Sequence, residues 1–224
     1  MSLKLYFDLL SQPSRALYIL LKSSKIPFEE CPIALRKGAQ LTDEYKNNVS
    51  RFQKVPVVHD GDFKMTESVA ILRYLAREKS LPDYWYPKDS KRQVRVDEFL
   101  EWQHNNVRAT CAKYFMKKWI FPLVTGQELE PEKLAEYKQS MEDCLDSMET
   151  LWLANGNYIC GDKLTAADLW AACEVEQPRV TGYDPIVGRP ILGAWLDRIR
   201  TEVDPHYGEA HAILNKIAMK SQKA

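Results

Sequence analysis

The stretch at residues 54–68, KVPVVHDGDFKMTES, constrains the fold more than any other part of the chain. A Val-Pro step leads into an apolar strand, Asp60-Gly61 is typical of a two-residue hairpin turn, and a helix begins at residues 66–68. Because proline cannot donate to a sheet ladder, the backbone of Val55 could be free to bind a ligand. The N–H groups of a helix start attract a carboxylate. The stretch therefore predicts either an extended ligand held at both ends or an ordinary hairpin and helix cap.

Length and charge narrow the class of protein. At 224 residues the chain can form one large domain or two small ones, with a sizeable buried core. Its 31 Lys and Arg balance its 31 Asp and Glu, so we expect neither nucleic acid nor a membrane as a partner. No apolar run approaches the roughly 20 residues that span a bilayer, which predicts a cytoplasmic protein. The five cysteines are scattered without the spacing of a metal site, so we expect reduced thiols and no metal.

The first third of the chain alternates strand and helix patterns. Residues 3–8 and 27–33 have strand patterns with a helix between them, and residues 42–46 suit a short helix before the hairpin. The order β-α-β-α-β-β-α over residues 1–79 predicts a mixed sheet and resembles the thioredoxin fold. Such folds commonly hold the Val-Pro bond cis. Thioredoxin-like redox enzymes carry C-x-x-C where this chain has SQPS at residues 11–14, so we do not expect thiol–disulfide exchange by its own cysteines.

The rest of the chain has helical patterns. Residues 80–88 contain prolines and clustered aromatic residues, and they are predicted to link the first domain to an all-α domain at residues 89–224. The first long helix of that domain is predicted to continue to about Ile120. Thr165 and Asp168 have the spacing of a capping box, which we interpret as a folding device. A second helix is marked by apolar residues at three- and four-residue steps, namely Leu134, Tyr137, Met141, Leu145, Met148 and Trp152.

Four segments narrow the family: LLSQPSR at residues 9–15, TESVAIL at 66–72, PDYWYP at 82–87 and WQH at 102–104. With the two-domain pattern, they resemble the theta class of the cytosolic glutathione transferases over essentially the whole chain. The resemblance implies a homodimeric cytoplasmic enzyme of detoxification. It would add the thiolate of glutathione to small hydrophobic electrophiles such as alkyl halides, and it could also reduce organic hydroperoxides. Glutathione would be a co-substrate, with no cofactor. The alternative is a non-catalytic scaffold or ligand carrier of the same fold.

The resemblance assigns catalysis to Ser11, whose hydroxyl would donate a hydrogen bond to the sulfur of glutathione. A thiol with a pKa near 8.5 is only about 3% thiolate at pH 7, so lowering that pKa by roughly two units increases the nucleophile ~25-fold. The shift corresponds to about 2.7 kcal/mol, which one hydrogen bond to a charged group plus a helix dipole can supply. Tyr6 is the alternative to Ser11 for the contact to the glutathione sulfur, and Ser14 is a less favoured alternative. Tyr6 should point away from the side of the strand that carries Leu5 and Phe7.

The residues implied to bind glutathione are Gln12, Gln40, Lys54, Val55, Pro56, Glu67 and Ser68. Val55 would pair through its backbone with the cysteinyl part, and Glu67 would bind the amine of the γ-glutamyl part. Ser68 and its helix start would bind the carboxylate of that part. Lys54 and Gln40 would face the glycyl carboxylate. Gln40 stands where the family often has histidine, and the loop before Lys54 lacks the usual Asn-Pro and is one residue longer, so this contact departs most from the family pattern.

The electrophile pocket is expected where the first helix of the second domain faces Ser11. Its residues would be Leu10, Asn105, Arg108, Met116 and Ile120, the last four of which are predicted to lie close to one helical face. Arg108 could steady a leaving group or an oxyanion, or it could form a surface or interdomain ion pair, and both interpretations stay open. Many theta enzymes carry a longer C-terminal extension over this pocket, so we expect a more open site here.

Overall fold

A computed structural model describes residues 3–221, and a mixed sheet lies at the centre of its first part. The strands are β1 (Leu3–Phe7), β2 (Phe28–Pro32), β3 (Val57–Asp60) and β4 (Phe63–Met65). In the order β2-β1-β3-β4, β1 is parallel to β2, while β3 is antiparallel to both β1 and β4. Gly61 takes a φ of 62° in the β3–β4 turn, a left-handed conformation that suits glycine. The predicted hairpin and mixed sheet are therefore confirmed, although Asp60 pairs with Phe63 and the two turn residues are Gly61 and Asp62 instead of Asp60 and Gly61.

Three helices complete the first domain: α1 (Gln12–Ser23), α2 (Asp43–Asn48) and α3 (Ser68–Glu78). They give the predicted order β-α-β-α-β-β-α, with two short 3-10 turns before α2. Along β1, Leu5 and Phe7 are buried while Tyr6 is partly exposed, so the predicted strand phase is confirmed. Most of α1 is buried because α1 packs against α3 and also against the second domain. The start of α1 therefore lies between the two domains.

The second domain is all-α, as predicted, and one of its helices is buried on every side. Its helices are α4 (Ser90–Asn105), α5 (Val107–Phe115), α6 (Phe121–Thr125), α7 (Pro131–Ser147), α8 (Ala166–Glu176), α9 (Pro190–Glu202) and α10 (His206–Ser221). Every residue of α8 is buried. This helix contacts α4, α5 and α9 of its own domain and α1 of the first domain. One hydrophobic core consequently runs through both domains.

The single long helix predicted to reach Ile120 is wrong. α4 ends at Asn105 and α5 begins at Val107, because Asn106 leaves the helical region with φ −118° and ψ −98°. The side-chain amide of Asn106 donates to the carbonyl of Trp102 at 2.7 Å, and such local bonds compete with the helix ladder. After α5 the chain makes a π-helical turn at Met116–Ile120 before α6.

The capping box predicted at the start of α8 is confirmed. Asp168 is fully buried, and its carboxylate accepts hydrogen bonds from the Thr165 amide at 2.9 Å and the Ile159 amide at 2.8 Å. The indole of Trp195 in α9 donates to the same carboxylate at 3.0 Å. Burial raises the pKa of Asp168, and these donors oppose that rise. One side chain thus ties the start of α8 to α9 and to the preceding loop.

Residues 79–89 connect the two domains through turns. The amide of Ala166 donates to the carbonyl of Trp85 at 2.8 Å, which ties this connection to the start of α8. The predicted division into a first domain at residues 1–79, a linker at 80–88 and a second domain at 89–224 stays a prediction. Residues 1–2 of the first domain and 222–224 of the second lie outside the described range. Within residues 3–221, no helix combines the length and apolarity needed to cross a membrane.

Candidate functional site

Ser11 occupies the N-cap of α1, at the junction between the two domains. Its backbone is extended (φ −85°, ψ 124°), and its amide donates to the carbonyl of Asp8 at 2.9 Å. The Ser11 hydroxyl makes no hydrogen bond to the first turn of α1, where Pro13 follows it. An N-cap serine normally uses its hydroxyl to cap its own helix. Here the hydroxyl, which is only partly buried, is free to bind something else.

The turn that leads into Ser11 is held from both sides. The carboxylate of Asp8 accepts from the Leu10 amide at 2.8 Å and from the Leu35 amide at 3.1 Å. On the other side, Arg15 Nη1 donates to the Leu9 carbonyl at 2.9 Å. The predicted pocket residue Leu10 is buried, and its backbone takes part in hydrogen bonds at this turn. Local hydrogen bonds therefore fix where the Ser11 hydroxyl lies.

Arg15 connects this turn to the second domain. The side chain is fully buried, and its Nη2 donates to the Cys173 carbonyl at 2.8 Å and to Gln177 Oε1 at 2.7 Å. The Gln177 amide in turn donates to the Leu10 carbonyl at 3.2 Å. The guanidinium lies one helical turn after Ser11, so it adds positive charge to the positive end of the α1 dipole. The sequence analysis missed Arg15 and Gln177, because no local pattern pairs residues so far apart.

Tyr6 and Ser14, the alternative donors to the glutathione sulfur, lie in different surroundings. The ring of Tyr6 packs on His59 with their centroids 4.7 Å apart, and burial raises the pKa of the Tyr6 phenol. Ser14 is fully buried, and its hydroxyl has no hydrogen-bond partner in the described chain. Of the three candidates, Ser11 combines a helix start with a partly exposed, unused hydroxyl. Its assignment stays a prediction.

The Val55 backbone is open, as the sequence predicts. Within residues 3–221 neither its amide nor its carbonyl makes a hydrogen bond, and the bond to the buried Pro56 is cis. The Lys54 carbonyl accepts from the hydroxyl of Tyr45 in α2 at 2.7 Å, while the Lys54 side chain is exposed. His59 Nε2 lies 3.0 Å from the Val49 carbonyl. The loop before Lys54 is thus anchored to α2 and to the hairpin.

The start of α3 presents unpaired amides beside a strained residue. Glu67 has φ 65° and ψ 106°, a left-handed conformation that costs a non-glycine residue about 1–3 kcal/mol. The first bond of the helix runs from the Ile71 amide to the Glu67 carbonyl at 2.9 Å, so in the described chain the amides of residues 68–70 have no partner. The hydroxyl of Ser68 accepts from the indole of Trp170 in α8 at 3.0 Å. Strained residues cluster at binding sites, and free helix-start amides suit a carboxylate.

The two predicted glutamines are held differently. Gln40 lies in the 3-10 turn Ala39–Leu41, and its side-chain oxygen is buried without a partner in the described chain. Gln12 is buried beside Glu174; burial raises the pKa of that carboxyl, and the Gln12 side chain is one of the groups that oppose the rise. Both assignments to glutathione stay predictions.

Arg108 forms an ion pair inside the second domain. Its Nη1 lies 2.5 Å from Glu174 Oε1, and 2% of the Glu174 side chain is exposed. Burial raises the pKa of Glu174, and Arg108 opposes that rise. The remaining oxygen, Glu174 Oε2, has no partner in the described chain. Because 37% of the Arg108 side chain is exposed, its free N–H groups could still face a ligand.

The other predicted pocket residues do not share one continuous helical face, so that prediction is wrong. Asn105 is exposed at the end of α4, beyond the break at Asn106. Met116 is 47% exposed in the π-helical turn, and Ile120 packs against a small cluster that includes Val180. That they line one electrophile pocket stays a prediction.

Other residues line three cavities of the described chain, with volumes of about 600, 530 and 470 Å³, and none of these three is lined by a predicted site residue. No group of three or more His, Cys, Asp or Glu residues between positions 3 and 221 is arranged to hold a metal ion.

Two family models match the chain. The model for the glutathione S-transferase N-terminal domain covers residues 1–77, and the model for the C-terminal domain covers residues 111–202. Glutathione S-transferase theta-3 of Mus musculus is 42% identical over 96% of this chain and 90% of its own length.

Solved structures of similar proteins have the same fold. Human glutathione S-transferase T1-1 in its apo form has a TM-score of 0.91 and 39% identity, covering all of this chain and 92% of that one. A human theta-class glutathione transferase in complex with the glutathione conjugate of 1-menaphthyl sulfate has a TM-score of 0.92 and 36% identity. That match covers all of this chain and 91% of the other.

Proposed function

Because this chain belongs to the theta class of the glutathione transferases, we propose that it joins the thiolate of glutathione to small hydrophobic electrophiles such as alkyl halides. The observation that carries the proposal is the unused hydroxyl of Ser11 at the start of α1. A helix start and the buried guanidinium of Arg15 surround it with positive charge, which suits a thiolate.

The proposed chemistry needs no general base on the protein. The glutathione thiol loses its proton to solvent, and the Ser11 hydroxyl donates a hydrogen bond to the thiolate. The sulfur then forms a bond to the electrophilic carbon while the leaving group departs with its electron pair. A hydrogen bond to a charged acceptor contributes roughly 1.5–3 kcal/mol, which is enough to lower a thiol pKa by about one to two units.

Glutathione would lie between the open backbone of Val55 and the start of α3. Val55 offers one free amide and one free carbonyl to the cysteinyl part, as an added strand would use them. The free amides at residues 68–70 and the Ser68 hydroxyl would bind the carboxylate of the γ-glutamyl part. The exposed Glu67 side chain would meet the amine. Lys54 and Gln40 would face the glycyl carboxylate.

A homodimer is also proposed. Phe63 in the first domain and Val94 in the second are 56% and 58% exposed, so each domain presents an apolar side chain to solvent. In a symmetric dimer the first domain of one subunit would cover the second domain of the other. Light scattering should give twice the mass of 25.9 kDa. A monomeric mass would contradict this part of the proposal. Peroxidase activity, a role in detoxification and a cytoplasmic location stay predictions.

The test of the function compares two variants with the wild-type protein. Titration calorimetry measures glutathione binding, and an alkyl halide assay measures conjugation as a function of pH. Ser11→Ala should lower kcat/KM at pH 7 by about 8- to 25-fold and move the pH profile toward the pKa of free glutathione thiol. Glutathione binding should change much less.

Tyr6→Phe is the matched control, because it removes the hydroxyl of the alternative sulfur ligand. This variant should keep its conjugation rate. If Ser11→Ala turns over normally while Tyr6→Phe is inactive, the assignment of the sulfur ligand is wrong. A wild-type protein that binds glutathione but conjugates no electrophile would instead support a ligand carrier.

A further inference from the structure

Trp170 reaches from the second domain to a predicted glutathione residue. It lies on α8, 2% of it is exposed, and its indole Nε1 is 3.0 Å from the hydroxyl oxygen of Ser68 at the start of α3. No other hydrogen bond of the Ser68 hydroxyl occurs in the described chain. The contact therefore joins a buried side chain of one domain to a half-buried predicted glutathione residue of the other.

The chemistry of the two groups fixes the direction of this bond. An indole N–H can only donate, so the Ser68 oxygen must accept. A serine hydroxyl carries one proton and two lone pairs, and the bond to Trp170 occupies one lone pair. The Ser68 proton is then free, and it can point to the side where the amides of residues 68–70 are also unpaired. Three amides and one hydroxyl would all donate to the same place.

We infer that Trp170 is a positioning residue for glutathione: its indole N–H orients the Ser68 hydroxyl as a donor to the α-carboxylate of the γ-glutamyl part. The inference rests on the proposed function. Without the indole N–H, the Ser68 hydroxyl could rotate and use its proton elsewhere. A donor held in advance loses less rotational freedom on binding, so the ligand gains affinity. The second domain would thus contribute to glutathione recognition and not only to the electrophile pocket.

Trp170→Phe tests the inference, since it keeps a buried ring and removes the N–H. Calorimetry should show glutathione binding weakened about 3- to 10-fold, the range expected for one hydrogen bond. The second ligand is a glutathione analogue in which hydrogen replaces the α-carboxylate of the γ-glutamyl part. This analogue should bind the wild-type protein and the variant equally. In a Ser68→Ala background, Trp170→Phe should have no further effect on glutathione affinity.

The matched control is Trp195→Phe, which removes another buried indole bond of the same domain, the one to Asp168. It should lower stability but leave glutathione affinity unchanged. Equal glutathione affinity of the wild-type protein and Trp170→Phe would overturn the inference, as would an equal loss for glutathione and for the analogue. A wild-type protein that does not bind glutathione overturns the proposed function and the inference together.

A measurement on the wild-type protein covers the case in which Trp170→Phe does not fold. Among the six indole N–H resonances of the chain, that of Trp170 should shift when glutathione is added and stay in place when the analogue is added. A Trp170 resonance that ignores glutathione, or that responds equally to both ligands, would overturn the inference.

Discussion

At the scale of single residues, the balance between burial and charge decides what Arg108 and Glu174 do. Glu174 is almost completely buried, and Arg108 compensates its charge at 2.5 Å. Removing one partner of a buried ion pair lowers stability by more than the pair itself contributes, because the remaining charge is left buried without a partner and without hydration. Whether or not Arg108 also contacts an electrophile, its charge is needed to compensate the buried charge of Glu174.

Arg108→Met should destabilise the protein in a pH-dependent way. The folded pKa of Glu174 is raised, so the folded state binds its proton more tightly than the unfolded state does, and stability falls as pH rises above the unfolded pKa. Without Arg108 that folded pKa should rise further. We expect a loss of about 1–3 kcal/mol at pH 7.5 and a smaller loss at pH 5, measured by urea unfolding.

Arg95→Met provides the control, since the ion pair of Arg95 with Glu98 is exposed on both sides. Its loss should change stability by about 0–1 kcal/mol at either pH. In the double variant Arg108→Met with Glu174→Gln, the extra pH dependence should disappear. An Arg108→Met variant whose loss is the same at pH 5 and pH 7.5 would contradict the role given to Glu174.

Residue-level chemistry was predictable where it depends on neighbours in sequence. The open backbone of Val55 follows from the adjacent proline, and the free amides at the start of α3 follow from helix geometry. The partners of Arg15 in the second domain and the indole over Ser68 were not predictable, because those pairs are more than one hundred residues apart. Burial of a charged side chain has no local sequence pattern.

At the scale of elements, the start of α8 depends on Asp168. Its carboxylate binds donors from three places: its own N-cap, the preceding loop and α9. Around the start of a helix that is buried along its whole length, polar groups cannot be satisfied by water, and Asp168 accepts from three of the donors there. The folding of α8, and with it the core shared by the two domains, therefore relies on this one carboxylate.

Asp168→Asn should destabilise the protein by about 2–4 kcal/mol, because the new amide NH₂ faces donors where an acceptor is needed. Urea unfolding at neutral pH measures the loss. Thr165→Ala, which removes a capping hydroxyl at the same site, should lose only ~1 kcal/mol. If both variants lose the same amount, Asp168 acts as a helix cap alone and the contacts to Ile159 and Trp195 contribute nothing.

Elements were predictable from sequence where their end signals are strong. The Thr165 and Asp168 spacing gave the start of α8, and the turn at Asp60-Gly61 gave the hairpin. The break between α4 and α5 was missed, since apolar residues keep a helical spacing across it. A hydrogen bond from the Asn106 side chain outweighs that pattern locally.

At the scale of the whole molecule, the two domains meet around Arg15. Its guanidinium joins the turn before Ser11 to the carbonyl of Cys173 and the side chain of Gln177. A second contact joins the domains elsewhere, where Arg73 of α3 binds Asp97 of α4 at 2.6 Å. Only the first of these two contacts also positions the Ser11 turn.

Arg15→Lys should therefore reduce both stability and conjugation. Lysine keeps the charge but cannot reach all three acceptors with a planar fork, so we expect a loss of about 2–4 kcal/mol. Displacing the Ser11 turn should lower kcat/KM at least about tenfold. Thermal unfolding and the alkyl halide assay measure the two effects.

Arg73→Lys is the matched control at the other domain contact. It should cost stability of about 1 kcal/mol or less and leave kcat/KM unchanged. A double variant of Arg15 and Gln177 should lose less stability than the sum of the single variants, because they share one network. If Arg15→Lys conjugates at the wild-type rate, the network holds the domains together without positioning Ser11.

The bond from the Gln177 side chain to the Leu10 carbonyl has a consequence for recombination between relatives. A chimera that joins the first domain of one transferase to the second domain of another at the linker would mix the two parents where the shared core crosses between the domains. It would also place the second parent's residue at position 177 against the Leu10 carbonyl of the first parent, next to Ser11. Exchange of whole domains between relatives should thus give active enzymes most often when the residues at positions 15 and 177 come from the same parent protein.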